Sequence, residues 1–350
     1  MDTVPATLRH ASQLSDETLL EMFWMMLLSR RLDERAWILH RQGKIVFHIS
    51  AIGHEAAQIA AAFAINRGVD YFYPYYRDLT ASLAIGMTPR DIMLSLFGKA
   101  GDPASGGRQM PAHFSSKDLN IVSGSSSVAT QVPDAAGSAF AIQYKQRLGM
   151  VDPNDETQPR LALTCLGEGS TSQGEWHEAM NWAGVHNLPF ICLVQNNQYA
   201  ISVPFEKQMA TETVAERASA YGIPGVVVDG NDVLEMYNAM RDAVLRAYNG
   251  EGATLIEAVM YRPVPHSSDD DDRSYRPREE VEAWKKKDPV QRFQNTLMED
   301  GVLTQALLDD YEQKAKQMVN EAQRFTEDAP YPDLDVLYGD VYAPLIDGEV

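Results

Sequence analysis

Hydrophobic positions in the first part of the chain recur at helical spacing, with polar, glycine-rich segments between them. Residues 15–39 begin with a serine followed by two acidic residues, which predicts a capped helix. Further helices are predicted at 54–66 and 88–97, the second opened by a threonine and a proline. The segments 98–116 and 123–127 are predicted to be loops.

Beyond residue 160 the pattern changes, and short apolar runs alternate with helical stretches. The predicted strands are 161–166, 189–195, 225–228 and 253–261, and the predicted helices between them are 172–186, 212–221 and 232–249. This alternation is typical of a parallel sheet covered by helices on both faces. The chain is therefore predicted to be α/β, a doubly wound parallel sheet with helical N- and C-terminal extensions. The predicted boundaries are 1–50 for the N-terminal helical extension, 51–288 for the α/β domain, and 289–350 for the C-terminal helical extension and tail.

Composition and charge exclude several classes of partner. The 30 basic and 49 acidic residues give a net charge of −19, which would repel nucleic acid and anionic membranes. The apolar run at 22–28 is far shorter than the roughly 20 residues that span a membrane, and no secretory signal precedes it. Cys165 and Cys192 lie in apolar runs, which predicts buried reduced thiols and favours a cytoplasmic protein.

The first candidate site residues lie where the first predicted strand of the sheet ends. Glu168 stands between Gly167 and Gly169 there, and Asn197 follows the next strand. The carboxyl ends of parallel strands share one sheet edge, where ligands bind and helix N-termini offer N–H groups to phosphate. A carboxylate beside phosphate oxygens is a usual protein ligand of magnesium. A glycine-acid-glycine sequence alone also marks an ordinary tight turn.

The combined pattern resembles the alpha subunits of thiamine diphosphate-dependent 2-oxoacid dehydrogenases, the decarboxylating components of multienzyme complexes. Five further segments match that family in the same order: 75–78, 106–111, 125–133, 195–202 and 266–270. The likeness extends from about residue 20 to near the C-terminus. It implies the thiamine diphosphate-binding fold, in its diphosphate-binding form.

The resemblance also implies roles for individual residues. Magnesium would be coordinated by Glu168, Asn197 and the backbone carbonyl of Tyr199. The residues implied to contact the cofactor are Tyr76, Arg77, Ser126, Val128, Gly167, Glu168, Gly169, Ser170, Gln195, Asn197 and His266. Those that match a potassium site of some members are Ser125, Thr130 and Gln131. A catalytic role is expected for Ser126, which matches a position facing the reactive middle of the cofactor. His266 is expected to transfer protons near the substrate carbonyl and during acyl transfer to a lipoyl group, because histidine ordinarily titrates near cellular pH.

Taken singly, each of these candidate site residues also has a purely structural interpretation. Tyr76 could be a packing residue, Arg77 part of a surface salt bridge, and Ser126 a turn former. His113, which also matches a family loop, is expected to be a structural histidine. The aspartates at 269–272 fit either a separate metal site or a solvated acidic loop.

Departures from the family pattern refine the interpretation. Glu168 replaces an aspartate of the general thiamine motif, and branched-chain members share that glutamate. Gln195 stands where some relatives place an arginine, and Ser127 replaces a frequent proline beside the potassium residues. Ser267 aligns with a regulatory phosphorylation position of mitochondrial relatives, although nothing in the sequence indicates a kinase.

The resemblance predicts a partner as well as a reaction. A 2-oxo acid would be decarboxylated on the thiazolium ring, and the acyl group would pass to the lipoyl group of an acyltransferase component. The glutamate that activates the cofactor is expected on a beta subunit, in an α2β2 heterotetramer. The branched-chain type is favoured. The alternatives are the alpha subunit of a pyruvate or acetoin dehydrogenase, and a non-catalytic subunit of the same fold.

Overall fold

The computed structural model describes residues 13–339, and a five-stranded parallel sheet lies at its centre. In chain order the strands are β1 (Tyr71–Tyr73), β2 (Ala162–Gly167), β3 (Phe190–Asn196), β4 (Tyr199–Ala200), β5 (Val203–Pro204), β6 (Gly225–Asp229) and β7 (Thr254–Val259). The sheet has the order β1-β2-β3-β7-β6, and β4 pairs with β5 in a separate antiparallel hairpin. Residues 1–12 and 340–350, which belong to the two predicted extensions, lie outside the described residues.

Helices surround the sheet and extend beyond it. They are α1 (Asp16–Arg41), α2 (Glu55–Ala64), α3 (Leu79–Ile85), α4 (Pro89–Leu96), α5 (Gln131–Arg147), α6 (Gly174–His186), α7 (Val233–Tyr248), α8 (Arg278–Lys285), α9 (Pro289–Glu299) and α10 (Gln305–Asp328). The predicted serine cap of α1 is confirmed, because Ser15 Oγ accepts a hydrogen bond from the amide of Thr18 at 3.1 Å. Among the described residues no helix is both long and apolar enough to cross a membrane.

The predicted fold class is confirmed, with differences in individual elements. The last predicted strand ends at Val259 rather than at 261, because the neighbouring strands β3 and β6 both end where they pair with Val259. The segment predicted as a helix at 212–221 is a 3-10 helix at Ala215–Tyr221. The elements β1, β4, β5, α3, α5 and α8 were not predicted from the sequence. The three residues of β1 are too few to show a period, and α5 buries mainly small alanines, which give a weak apolar signal.

Two hydrophobic layers enclose the sheet. On one face β2 and β3 pack against α5 and α6, with Trp176 and Phe190 fully buried. On the other face the sheet packs against α2 and α7, and α1, α9 and α10 continue that same core. Cys165 belongs to one layer and Cys192 to the other, so the two thiols cannot form a disulfide; both are buried and reduced, as predicted. The domain boundaries at 50 and 288 stay predictions.

A buried carboxylate on α1 shapes the loop that leads into α2. Asp33 accepts hydrogen bonds from His48 Nε2 at 2.9 Å, Ser50 Oγ at 2.8 Å and the amide of Ala51 at 2.6 Å. The carbonyl of Ser50 in turn accepts a hydrogen bond from Arg77. The N-terminal helix therefore determines the position of a loop that borders the site described below.

Replacing this carboxylate should destabilise the whole chain. Asp33→Ala leaves three buried donors without an acceptor, and each unsatisfied group costs about 1–3 kcal/mol. We expect the free energy of unfolding to fall by at least about 3 kcal/mol, measured by urea denaturation. Glu34→Ala is the matched control, since that half-exposed carboxylate contributes about 1 kcal/mol or less through its pair with Arg31. Equal losses for the two variants would contradict the assigned role of Asp33.

Candidate active site

A cavity of about 420 Å³ opens at the carboxyl ends of β2 and β3. It is lined by most of the residues that sequence analysis proposed: Tyr76, Arg77, Ser126, Val128, Gly167, Glu168, Gly169, Ser170, Asn197, Tyr199 and His266. Sequence analysis did not propose the other lining residues, which include Phe47, Ile49, Tyr75, Met110, His113, Ile201 and Arg262. Four of the proposed residues do not line the cavity: Ser125, Thr130, Gln131 and Gln195.

Sheet register brings the two motif residues together. Gly167 pairs with Gln195 across β2 and β3, so the residues just beyond these strand ends are neighbours. The amide of Asn197 donates to a carboxylate oxygen of Glu168 at 3.2 Å. Gln208 Nε2 donates to the other carboxylate oxygen at 3.2 Å. The hydrogen bonds from Gln208 and Asn197 lower the pKa of Glu168. The burial of this carboxylate has a larger effect, and its pKa is therefore raised.

Oxygen atoms suited to bind a metal ion lie at this side of the cavity. Glu168 supplies a carboxylate, Asn197 an amide oxygen and Tyr199 a backbone carbonyl, the ligand types that hard divalent cations prefer. His54 fixes the amide of Asn197, whose Nδ2 lies 3.1 Å from His54 Nε2. Burial, and then Arg77, hold the pKa of His54 well below its usual range, so a neutral imidazole accepts this hydrogen bond. His54 is a supporting residue that the sequence motif did not reveal.

Two buried arginines also line the cavity, and Arg262 Nη1 donates to the carbonyl of Tyr199 at 3.5 Å. Arg77 donates to the carbonyls of Ser50 and His266, and Arg262 donates to the carbonyl of Ile201 at 2.8 Å. Within residues 13–339 the acceptors around both guanidinium groups are neutral, and neither Nε atom has a partner. Burial and the neighbouring Arg77 lower the pKa of Arg262 to about 10. Two adjacent buried guanidinium groups that form no ion pair are suited to bind an anion. Arg77 is thus not part of a surface salt bridge.

His266 lies between these arginines. Its Nδ1 is 3.1 Å from Arg262 Nη1 and 3.4 Å from Arg77 Nη2, and a guanidinium can only donate. The imidazole therefore accepts at Nδ1 and carries its hydrogen on Nε2. Burial, reinforced by the two guanidinium groups, lowers the pKa of His266 to about 3. The expectation that His266 titrates near cellular pH is wrong for this geometry, because the two cations oppose a third positive charge.

The acidic run after His266 orders its loop. Asp270 accepts hydrogen bonds from the amide of His266 at 2.7 Å and from the hydroxyl of Tyr275 at 2.5 Å. Asp271 pairs with Arg273, and Asp272 pairs with Arg276. In the described part of the chain, no three histidine, cysteine, aspartate or glutamate side chains converge as metal ligands. The interpretation of these aspartates as a separate metal site is therefore not supported.

Gln195 lies beneath the cavity floor rather than in its wall. Its Nε2 donates to Asp78 at 2.5 Å, and its Oε1 accepts from Gln58 Nε2 at 3.0 Å. The same amide group of Gln58 donates to the backbone carbonyl of Arg77 at 3.0 Å. Burial raises the pKa of Asp78 to about 7. In this geometry Gln195 supports the segment that carries Arg77, and its contact with the cofactor stays a prediction.

The residues expected to form a potassium site are engaged in local hydrogen bonds. Gln131 Nε2 donates to the carbonyl of Cys165 at 2.9 Å, and Thr130 Oγ1 donates to the carbonyl of Ser127 at 3.0 Å. Ser125 Oγ accepts from the amide of Ser127 at 3.0 Å. These bonds hold the loop that leads into α5. The potassium site stays a prediction.

Fold and cavity together define an α/β protein with a cleft, lined by two buried arginines, at the carboxyl edge of its parallel sheet. The chain belongs to the family described as "Dehydrogenase E1 component", which matches residues 24–335. This membership confirms the family resemblance found in the sequence. Enzymes of this family depend on thiamine diphosphate.

Three relatives show how the likeness is distributed. The alpha subunit of 2-oxoisovalerate dehydrogenase from Bacillus subtilis (strain 168) is 50% identical over 339 residues, which cover 97% of this chain and 99% of that protein. The alpha subunit of 3-methyl-2-oxobutanoate dehydrogenase from Mycobacterium tuberculosis (strain CDC 1551 / Oshkosh) is 38% identical over a region that covers 99% of this chain and 88% of that protein. The pyruvate dehydrogenase E1 component subunit alpha from Staphylococcus aureus (strain Mu50) is 34% identical over a region that covers 94% of this chain and 84% of that protein.

Gly169 should tolerate no side chain. A Cβ atom at this position would lie 2.5 Å from Cβ of Ala200 on β4, so Gly169→Ala would push β4 away from the residues around Glu168. We expect a loss of about 1–3 kcal/mol in the free energy of unfolding, as for other overpacked positions. Gly174→Ala, at the start of α6, is the control because nothing lies within 4 Å of its added Cβ. Thermal melting measures both, and equal melting temperatures would refute this account of the close approach.

Proposed function

We propose that this chain is the alpha subunit of a branched-chain 2-oxoacid dehydrogenase E1 component. Such an enzyme decarboxylates a branched-chain 2-oxo acid and transfers the acyl group to the lipoyl group of an acyltransferase component. The observation that carries the proposal is 50% identity over almost the whole chain to a 2-oxoisovalerate dehydrogenase alpha subunit, against 34% to a pyruvate dehydrogenase alpha subunit. The glutamate at position 168 supports the same choice.

The residues of the cavity fit thiamine diphosphate. Two buried guanidinium groups lack an anionic partner among the described residues, and each has an Nε atom without a hydrogen bond. A diphosphate group supplies the missing negative charge and acceptors. Tyr76 and Ser170 line the same region, and Val128 gives it an apolar wall. When bound, the thiazolium ring of this cofactor supplies the electron sink that decarboxylation of a 2-oxo acid requires.

Magnesium is part of the same proposal. Glu168, Asn197 and the carbonyl of Tyr199 would hold the ion beside the diphosphate, since they are the oxygen ligands gathered at that side of the cavity. Gln208 would then fix the longer carboxylate of Glu168 through the hydrogen bond it already makes. Potassium, held by the loop of Ser125, is a further proposal that the family pattern alone supports.

The residues around the cofactor site fit the steps of the reaction. His266 presents its Nε2–H to the cavity and would donate a hydrogen bond to the carbonyl oxygen of the substrate. Phe47, Ile49 and Met110 would exclude water and contact an aliphatic acyl chain. Among residues 13–339, no glutamate other than Glu168 lines the cavity. This supports the proposal that a beta subunit provides the activating glutamate, in an α2β2 heterotetramer in the cytoplasm.

Removal of the Glu168 carboxylate should weaken magnesium-dependent binding of thiamine diphosphate. The carboxylate neutralises part of the charge around the ion, so Glu168→Ala should lower cofactor affinity by at least about tenfold, or 1.4 kcal/mol. Titration calorimetry of the assembled protein with magnesium and cofactor gives the affinity. Glu175→Ala, an exposed carboxylate in the first turn of α6, should leave it unchanged. Unaltered binding by Glu168→Ala would show that the metal assignment is wrong.

Substrate preference and the need for a partner can be tested together. The alpha chain is assayed alone and with its beta chain, against pyruvate and the 2-oxo acids of valine, leucine and isoleucine, using an artificial electron acceptor. We expect turnover only by the mixture, with a higher kcat/KM for the branched acids, because each methylene in an apolar pocket contributes about 1–3 kcal/mol. A preference for pyruvate would favour the pyruvate dehydrogenase alternative, and no turnover with any acid would favour a non-catalytic subunit.

A further inference from the structure

A second histidine lies at the mouth of the cavity and contacts Ser126. His113 Nε2 is 2.8 Å from Ser126 Oγ, and His113 Nδ1 is 2.9 Å from the carbonyl of Met110. All three residues line the cavity. We propose that His113 and Ser126 form a proton relay that exchanges a proton with a hydroxyl or thiol group of the bound reactant. This proposal rests on the proposed function and assigns its proton acceptor.

Hydrogen-bond chemistry determines the resting state of the pair. A backbone carbonyl can only accept, so His113 Nδ1 carries the hydrogen and donates it to Met110. In the neutral imidazole Nε2 is then an acceptor, and the hydroxyl of Ser126 must donate to it. Ser126 therefore presents its oxygen lone pairs, rather than its hydrogen, to the cavity. This is the arrangement of a hydroxyl backed by a base whose other nitrogen is oriented by a third group.

The proton balance of the relay is simple. A reactant hydroxyl or thiol transfers its proton to Ser126 Oγ as the hydroxyl proton of Ser126 moves to His113 Nε2. One bond to hydrogen forms and one breaks at Ser126, no electrons are gained or lost, and the resulting imidazolium keeps its hydrogen bond to Met110. The reverse transfer returns the proton to an oxygen or sulfur anion of the reactant. Ser126 is exposed and His113 is only partly buried, so the pair lies where a tethered acyl acceptor would enter.

The other cavity histidine is not suited to this task. The basic nitrogen of His266 faces Arg77 and Arg262, both permanent donors, and only its Nε2–H is directed elsewhere. Within residues 13–339 the hydrogen-bond partners of the His113 nitrogens are a carbonyl and a hydroxyl, and neither carries a charge. The two histidines therefore have different roles: His266 donates a hydrogen bond inside the cavity, and His113 takes up and returns a proton beside the exposed Ser126.

Three variants of the reconstituted enzyme separate proton transfer from positioning. His113→Gln keeps an acceptor near Ser126 but cannot take up a proton, and Ser126→Ala removes the relay hydroxyl. We expect each to lower kcat for acyl transfer to a lipoyl acceptor by about 100-fold or more, with KM for the 2-oxo acid nearly unchanged. The double variant should be no slower than the slower single variant, because both residues serve one step. Ser127→Ala, the neighbouring serine outside the cavity wall, is the control and should behave as the parent enzyme.

Full activity of His113→Gln would overturn the relay, because a hydrogen-bond acceptor would then suffice. Multiplicative losses in the double variant would also overturn it. Neutron diffraction of the assembled protein provides a readout that needs no turnover and is independent of the substrate assignment. Deuterium on His113 Nδ1, with the Ser126 hydroxyl directed at Nε2, is the expected result, and deuterium on Nε2 alone would contradict the proposal. An enzyme that is inactive in its parent form would refute the proposed function while leaving the neutron result as the test of the relay.

Discussion

The burial of two guanidinium groups side by side is the constraint on which the site depends. Arg77 and Arg262 lie away from water, and within the described residues neither forms an ion pair with a carboxylate. Like charges in a low-dielectric interior repel, and each buried guanidinium also needs hydrogen-bond acceptors around it. Carbonyls from separate segments meet this need: Ser50 before α2, Ile201 beyond β3, and His266 beyond β7. The arginines thereby connect the loops that form the cavity.

Support for these loops comes from residues that never face the cavity. Asp33 holds the segment around Ser50 from α1, and Gln58 on α2 holds the backbone of Arg77 from below. Arg276 donates to the carbonyls of Arg262 and Val264, which fixes the chain leading to His266. A site at a sheet edge is built from loops, and loops keep one geometry only when their polar backbone groups are satisfied. The helices before and after the sheet therefore help to hold the loops of the site in place.

This electrostatic arrangement also separates the roles of the two cavity histidines. Between two cations the imidazole of His266 stays neutral and acts as a hydrogen-bond donor, and an anionic ligand bound to the arginines would relieve part of that effect. His113 has a carbonyl and a hydroxyl as its partners instead. The same residue type thus has two functions, set by neighbours that lie on distant parts of the chain. Family membership alone does not distinguish them.

The sequence by itself determined the fold class, four of the five strands of the parallel sheet and the family, because these depend on local periodicity and on short motifs with fixed spacing. The approach of Glu168 to Asn197 followed from the same logic, since consecutive parallel strands end at one edge. Only the tertiary structure revealed the position of Gln195 beneath the floor, the second arginine at 262, and the pairing of His113 with Ser126. Those features depend on contacts between residues far apart in sequence, and on pKa values set by burial and neighbouring charge. The local pattern of a chain encodes neither its long-range contacts nor these pKa values, so both could be found only in the folded structure.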